Sequence, residues 1–273
     1  VKISLCTISF RHCLVSMKEI AAFASANGFD GVEIWAAHAR SLARAPLYNA
    51  EWLASFGLAT PMLSDYLPTD SPLGELRRRT DALCALAARW RAPKIRTFAG
   101  TSPSAAVDAE GWRRTAAALR ASCEVAEDNG MELLVETHPN TLADSLASTL
   151  RLIDAVDHSA LGINFDVLHV WEGGDDPVAA YEALAPRVRH FHLKNVRSRA
   201  DLTVFEPGNV YAASGRRDGM VPLFDGALDY PRLLPLLPAR AEASLEWFGD
   251  EPFETLARDR RALDGVAREA TAA

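Results

Sequence analysis

Eight short apolar runs, each followed by a segment of helical period, divide this chain, and that alternation constrains its fold more than any other feature. The runs are Ile3 to Ser9, Gly31 to Ala36, Pro61 to Tyr66, Lys94 to Phe98, Glu132 to His138, Leu161 to Asp166, His190 to Asn195 and Ala243 to Phe248. Their length and bounding turn residues predict buried strands. Helical segments are expected over Ser16 to Asn27, Ala50 to Phe56, Leu73 to Trp90, Glu110 to Asn129, Leu146 to Val156, Pro177 to Leu184, Tyr230 to Leu237 and Pro252 to about Arg268. Ser16 before Met17-Lys18-Glu19 reads as a capping box, and Asn27-Gly28 and Asn129-Gly130 as helix stops. Eight strand-helix units in 273 residues predict an α/β fold, a single (β/α)8 TIM barrel over residues 1–273. A doubly wound sheet would need fewer strands and a Gly-rich first turn, and neither GxGxxG nor GxxxxGK[ST] occurs.

Composition narrows the function. With 49% apolar residues the chain can fill a large core, which excludes intrinsic disorder. A formal net charge of -7 and scattered arginines argue against a nucleic-acid partner, and Arg77-Arg78-Arg79 reads as a solvated helix face. The apolar stretch Leu233 to Leu237 is interrupted by Pro235 and closed by Pro238, so no membrane span is expected. The chain enters a strand pattern at once, without the zones of a signal peptide, and Cys6, Cys13, Cys84 and Cys123 form no CxxC pair. A soluble protein of the reducing cytoplasm is the expectation.

One connection stands out. The segment Val196 to Leu228, after the seventh strand, is far longer than its counterparts and contains Phe205-Glu206-Pro207-Gly208-Asn209-Val210-Tyr211. A loop of that length in a compact domain is normally a lid or binding loop.

Alternate residues of a strand share a face. Leu134, Glu136 and His138 are therefore expected to face into the barrel, with Asn164 and Asp166 from the next strand, His190, His192 and Lys194 from the seventh, and Ser244 and Glu246 from the eighth. Four successive strands thus aim Glu136, Asp166, His192 and Glu246 at one region of the C-terminal rim, where barrel chemistry sits. Three carboxylates and one imidazole suit a single divalent metal ion, Mn²⁺ or Mg²⁺, with Co²⁺ or Zn²⁺ as substitutes. Each residue alone has a plainer reading: Lys194 and Arg96 could simply neutralise the acids, His190 fits a core histidine, and His158 belongs to the opposite, stability face.

The segments Ser4 to His12, Ser64-Asp65-Tyr66-Leu67, Lys94-Ile95-Arg96-Thr97-Phe98-Ala99-Gly100, Glu136-Thr137-His138-Pro139-Asn140-Thr141-Leu142, Phe165 to Glu172, His190 to Asn195, Asn209 to Ala213, Gly219 to Phe224 and Ser244-Leu245-Glu246-Trp247-Phe248-Gly249 run through nearly the whole chain. They resemble the metal-dependent 3-dehydroshikimate dehydratases of the xylose-isomerase-like TIM-barrel superfamily, in particular those serving catecholate siderophores of the petrobactin type. The resemblance implies conversion of 3-dehydroshikimate to protocatechuate with loss of water. It implies a divalent metal on Glu136, Asp166, His192 and Glu246, and a site lined by Arg96, His138, His169, Lys194, Tyr66 and Tyr211.

In that chemistry the metal acts as a Lewis acid while a base removes the proton beside the ketone. His138 is the expected base, Lys194 the partner of the developing oxyanion or leaving hydroxyl, and Arg96 the partner of the substrate carboxylate. His12 or an arginine of the long loop could take the carboxylate instead. Tyr66, His169 and Tyr211 are expected to bind substrate. The rival reading is a sugar or polyol isomerase, epimerase or dehydratase on the same barrel. A phosphodiester-cleaving relative would need a basic groove, against the net charge of -7, and a barrel that only binds would not need a full ligand set.

Overall fold

The computed structural model describes the backbone of residues 1–272 and side chains through residue 266, so residue 273 of the expected domain lies outside the described residues. The strands are β1 (Lys2–Cys6), β2 (Gly31–Trp35), β3 (Leu63–Ser64), β4 (Lys94–Thr97), β5 (Glu132–Glu136), β6 (Leu161–Asp166), β7 (Val188–Leu193), β8 (Asn195–Val196), β9 (Met220–Val221) and β10 (Glu242–Leu245). Seven of them, β1 to β7, pair in parallel, and β10 lies between β7 and β1 to close an eight-stranded barrel. β8 and β9 form a separate antiparallel ribbon. No helix among the described residues is long and apolar enough to cross a membrane.

Outward positions Val32, Ile34, Ile95, Leu133, Val135, Ile163, Phe165, Leu193 and Leu245 are buried against the helices. Capping works as the residues dictate: Ser16 and Glu19 satisfy each other's backbone at the helix Met17–Ala26, and Gly28 and Gly130 take positive φ (72° and 69°) just past helix ends. Inside the barrel, Gly162 sits beside Leu134, where an added Cβ would lie 2.5 Å from Leu134 Cδ2. Small against large fills this lower layer. The layers above it are polar.

Several strands end sooner than their sequence pattern suggests. β5 stops at Glu136: Thr137 N–H still donates to Asn164 on β6 (3.1 Å), but His138 N–H turns to Ala143 of its own loop (3.1 Å). β1 stops at Cys6, and Thr7–Phe10 coil into a 3-10 turn. Short helices at Ala36–Ser41 and Val167–Glu172 start directly from strand ends. Apolar period alone does not mark where a strand leaves its neighbours at the rim, because the same residues remain buried there.

The segment after β8 is structured. It holds a 3-10 stretch (Arg199–Phe205), a short helix (Pro207–Val210) and β9. Buried Asn195 fixes its return, donating to Leu223 and Leu228 carbonyls (2.7 and 3.2 Å) and accepting from Leu228 N–H (3.1 Å). At its tip, Arg11 Nε and His12 Nε2 both donate to the Val210 carbonyl (2.6 and 2.9 Å), and Tyr211 Oη donates to Tyr66 Oη (2.9 Å). The expected helix from Tyr230 is helical over Tyr230–Leu233 and continues as a 3-10 turn, as Pro235 removes a backbone donor. The last helix runs Pro252–Ala272.

Candidate metal centre and active site

Strand alternation brings Glu136, Asp166, His192 and Glu246 together: one ligand atom from each lies within 4.8 Å of all the others, and all four residues are buried. β5 and β6 place Glu136 beside Asn164, and β6 and β7 place Asp166 beside His192. Asn164 Nδ2 donates to Glu136 Oε2 (3.2 Å). Asp166 divides its two oxygens: Oδ1 caps the helix Val167–Glu172 by accepting from His169 N–H (3.1 Å), and Oδ2 faces the cluster.

Two cations hold this acidic cluster. Lys194 Nζ lies 2.5 Å from Asp166 Oδ2 and 2.7 Å from Glu246 Oε2. Arg96 Nε lies 2.8 Å from Glu136 Oε2, an ion-pair distance at which its N–H is not aimed for a hydrogen bond. Burial opposes the charge of Glu136, but Arg96 and His192 outweigh it and keep the carboxyl well below the usual carboxylate range. Burial likewise opposes the Lys194 charge, yet Asp166 and Glu246 hold its ammonium above the ordinary lysine value. His192 is buried too, but Glu246, Glu33 and Glu136 push its imidazole well above its ordinary value.

The cluster fits a divalent cation. His192 Nδ1 is buried and makes no hydrogen bond, and it faces carboxylate oxygens of Glu246, Glu136 and Asp166 at 3.4, 3.5 and 3.8 Å. Buried polar atoms seldom stay unpaired unless a ligand or water belongs there. Charge points the same way. Once a cation takes the place of the proton that these carboxylates favour on His192, Glu33, Glu136, Asp166 and Glu246 face Arg96 and Lys194, and a dication balances them.

The other expected residues gather above the cluster. Arg96, His138, His169, Lys194, Tyr66 and Tyr211 line one cavity with Phe98, Phe205 and Phe248. His138 packs against Phe98 and His169, with ring centroids 4.3 and 4.4 Å away. Its Nδ1 lies 2.7 Å from the Pro139 carbonyl, which can only accept, so Nδ1 carries the proton and Nε2 is the bare nitrogen. Burial, with His169 alongside, pushes the His138 imidazole down to about 3, which keeps it neutral. Lys194 Nζ lies 5.4 Å from the ring centroids of Phe205 and Phe248.

Of the groups considered for a substrate carboxylate, Arg96 alone lines the cavity. His12 is engaged at Val210, and Arg217 donates to Asn209 and Ala212 within its own loop (2.6 and 2.7 Å). His190 lies deeper, with Nε2 2.8 Å from Ser244 Oγ, and burial lowers its imidazole to about 4. His158 accepts from Ala160 N–H (3.2 Å) just ahead of β6, away from the cavity.

Sequence reasoning missed Glu33. It is fully buried on β2, with its carboxylate 3.0 and 3.2 Å from His192 Nε2. A signal existed, since Glu33 is the single charge in Gly31-Val32-Glu33-Ile34-Trp35 and alternates with the outward Val32 and Ile34.

A closed parallel barrel with acidic and imidazole groups at its C-terminal rim defines a class, and residues 21–268 match the description of one, the xylose isomerase-like TIM barrel. The chain belongs to that family. It is 43% identical over 271 residues, covering 96% of both chains, to a 3-dehydroshikimate dehydratase of Bacillus anthracis. The crystal structure of the probable 3-DHS dehydratase AsbF, involved in petrobactin synthesis in Bacillus anthracis, superposes with a TM-score of 0.93 at 41% identity, covering 97% of this chain and 99% of that one. Within the barrel family, this chain is therefore one of the 3-dehydroshikimate dehydratases. A xylose isomerase-like TIM barrel protein from Mycobacterium smegmatis, solved in complex with magnesium, shares the fold at a TM-score of 0.70 and 18% identity, covering 97% of this chain and 96% of that one.

Proposed function

We infer that this chain removes water from 3-dehydroshikimate to form protocatechuate, and that Glu136, Asp166, His192 and Glu246 hold one divalent ion for the reaction. The observation that carries the reading is the neutral His138 beside that four-residue cluster, in a cavity roofed by aromatic rings. Three carboxylates and one imidazole favour Mn²⁺ or Mg²⁺ over softer ions. When bound, such an ion supplies Lewis acidity to the ketone of a hydroxyketone substrate.

The chain's own residues do the rest. His138 Nε2 takes the proton from the carbon between the ketone and the departing hydroxyl, since Nδ1 is held by Pro139. Lys194, kept charged by its carboxylate neighbours, donates toward the leaving hydroxyl or the oxygen that gains charge. Loss of that hydroxyl as water and a further proton shift give the aromatic ring. Arg96 offers the substrate carboxylate a guanidinium whose own face rests on Tyr66 and Phe98, with centroids at 5.4 and 5.1 Å. The aromatic walls and Tyr211 fit a cyclic acid better than an open-chain polyol, which would need hydroxyl-binding groups along its length. Buried free thiols at Cys6, Cys84 and Cys123 are in keeping with work in a reducing cytoplasm.

Incubating metal-stripped protein with Mn²⁺ and 3-dehydroshikimate should produce catechol absorbance. A fully loaded protein that leaves the substrate untouched refutes the assignment.

A further inference from the structure

Glu33 reaches the site from β2, on the far side of the barrel closure from β7, and no part of the proposed reaction uses it. Its carboxylate is completely buried and lies 3.0 Å (Oε2) and 3.2 Å (Oε1) from His192 Nε2, with His190 Nε2 at 3.5 Å. A carboxylate in such a contact accepts, so His192 Nε2 carries a hydrogen. The other ring nitrogen, Nδ1, has no hydrogen-bond partner and lies 3.4 Å from Glu246, 3.5 Å from Glu136 and 3.8 Å from Asp166 carboxylate oxygens.

We propose that Glu33 is a positioning residue that fixes the ring orientation and tautomer of His192, so that Nδ1 is the nitrogen presented to the metal. The inference rests on the reading that Glu136, Asp166, His192 and Glu246 hold the ion. An imidazole that donates through one nitrogen to a carboxylate and ligates through the other is held at both ends, and its ligating nitrogen is made more basic. Without Glu33 the ring can turn, or carry its proton on Nδ1, and either change removes a donor from the cluster. Glu33, His190 and His192 also lie close enough to form a separate ion site. The 3.0 Å contact between Glu33 and His192 is already a hydrogen bond, which places Glu33 behind the ligand and not beside a second ion.

Mn²⁺ titration of the metal-stripped wild type, Glu33→Gln and Glu33→Ala, read by electron paramagnetic resonance, tests this without any assay of turnover. Glu33→Ala should bind Mn²⁺ about 10- to 100-fold more weakly, with a stoichiometry of one and weaker nitrogen coupling to the bound Mn²⁺, while Glu33→Gln, whose amide oxygen can still accept from Nε2, should lose less. In case a variant folds poorly, ¹⁵N NMR of the Zn²⁺-loaded wild type gives a second readout: His192 should keep its hydrogen on Nε2. Glu33→Ala affinity within about threefold of wild type, well below that range, overturns the proposal. So does a hydrogen on Nδ1, or two ions per chain. A wild type with no tight Mn²⁺ site overturns this inference and the four-ligand reading together. Clear weakening in Asp166→Asn beside an unaffected Glu33→Ala overturns this inference alone.

Discussion

Replacing His138 with Asn separates its chemistry from its packing. The Asn amide can still donate to the Pro139 carbonyl that now holds Nδ1 at 2.7 Å, but it has no basic nitrogen to take the place of Nε2. The lost packing is contact with the rings of Phe98 and His169, at 4.3 and 4.4 Å, and such pairs contribute about 0.5–1.5 kcal/mol each. Loss of a general base costs about 10²- to 10⁴-fold in turnover, or roughly 2.7–5.4 kcal/mol of barrier. The catalytic loss should therefore exceed the loss of stability, and should fall on kcat with KM little changed. The assay is steady-state catechol formation at saturating Mn²⁺, with bound metal per chain measured in parallel. A folded, metal-loaded variant turning over within about tenfold of wild type, below the range expected for a lost base, would refute the assignment and pass the role to Lys194 or His169. Loss of the metal would instead make His138 a ligand.

Other expectations follow from the same geometry. Asp166→Asn or Glu246→Gln should lose most of the bound metal and turnover, and chelator treatment of the wild type should do the same reversibly; full activity after chelation contradicts the metal reading. Substrate or product should slow hydrogen exchange and proteolysis across residues 197–228, since Arg11, His12 and Tyr66 hold that segment over the cavity; unchanged protection would make it a static wall. Asp259→Asn tests a group remote from the metal. Burial pushes the Asp259 carboxyl up to about 7 from its ordinary 3.8, with Arg258 pulling down and Asp225 pushing up, while it accepts from Leu223 N–H at 2.9 Å. Between those values the folded chain holds a proton that the unfolded chain has released, so this group's contribution to stability falls as pH rises and levels off above about 7. Asn keeps the acceptor without the charge, so its advantage should grow by up to about 1.4 kcal/mol per pH unit from pH 5 to 7 in urea unfolding. An advantage that does not change with pH would refute the cause.

The sequence by itself determined the alternation that closes the barrel, and, through a period of two, the inward face shared by Glu136, Asp166, His192 and Glu246. Those facts are local, because strand geometry fixes which side a residue takes once its neighbours are known. The same locality explains why Gly28 and Gly130 mark helix ends and why Ser16 caps its helix without help from the rest of the fold. Strand ends at the rim were not legible, because burial persists after pairing stops, as at Thr7 to Phe10 beyond β1. Nor was the contact of Glu33 with His192, 159 positions apart, or the grip of Arg11 on Val210 across 199 positions. Only closure of the sheet, β1 against β10, brings β2 within reach of β7. Periodicity gives each side chain a direction, while distances across the interior are set by how all eight strands pack at once.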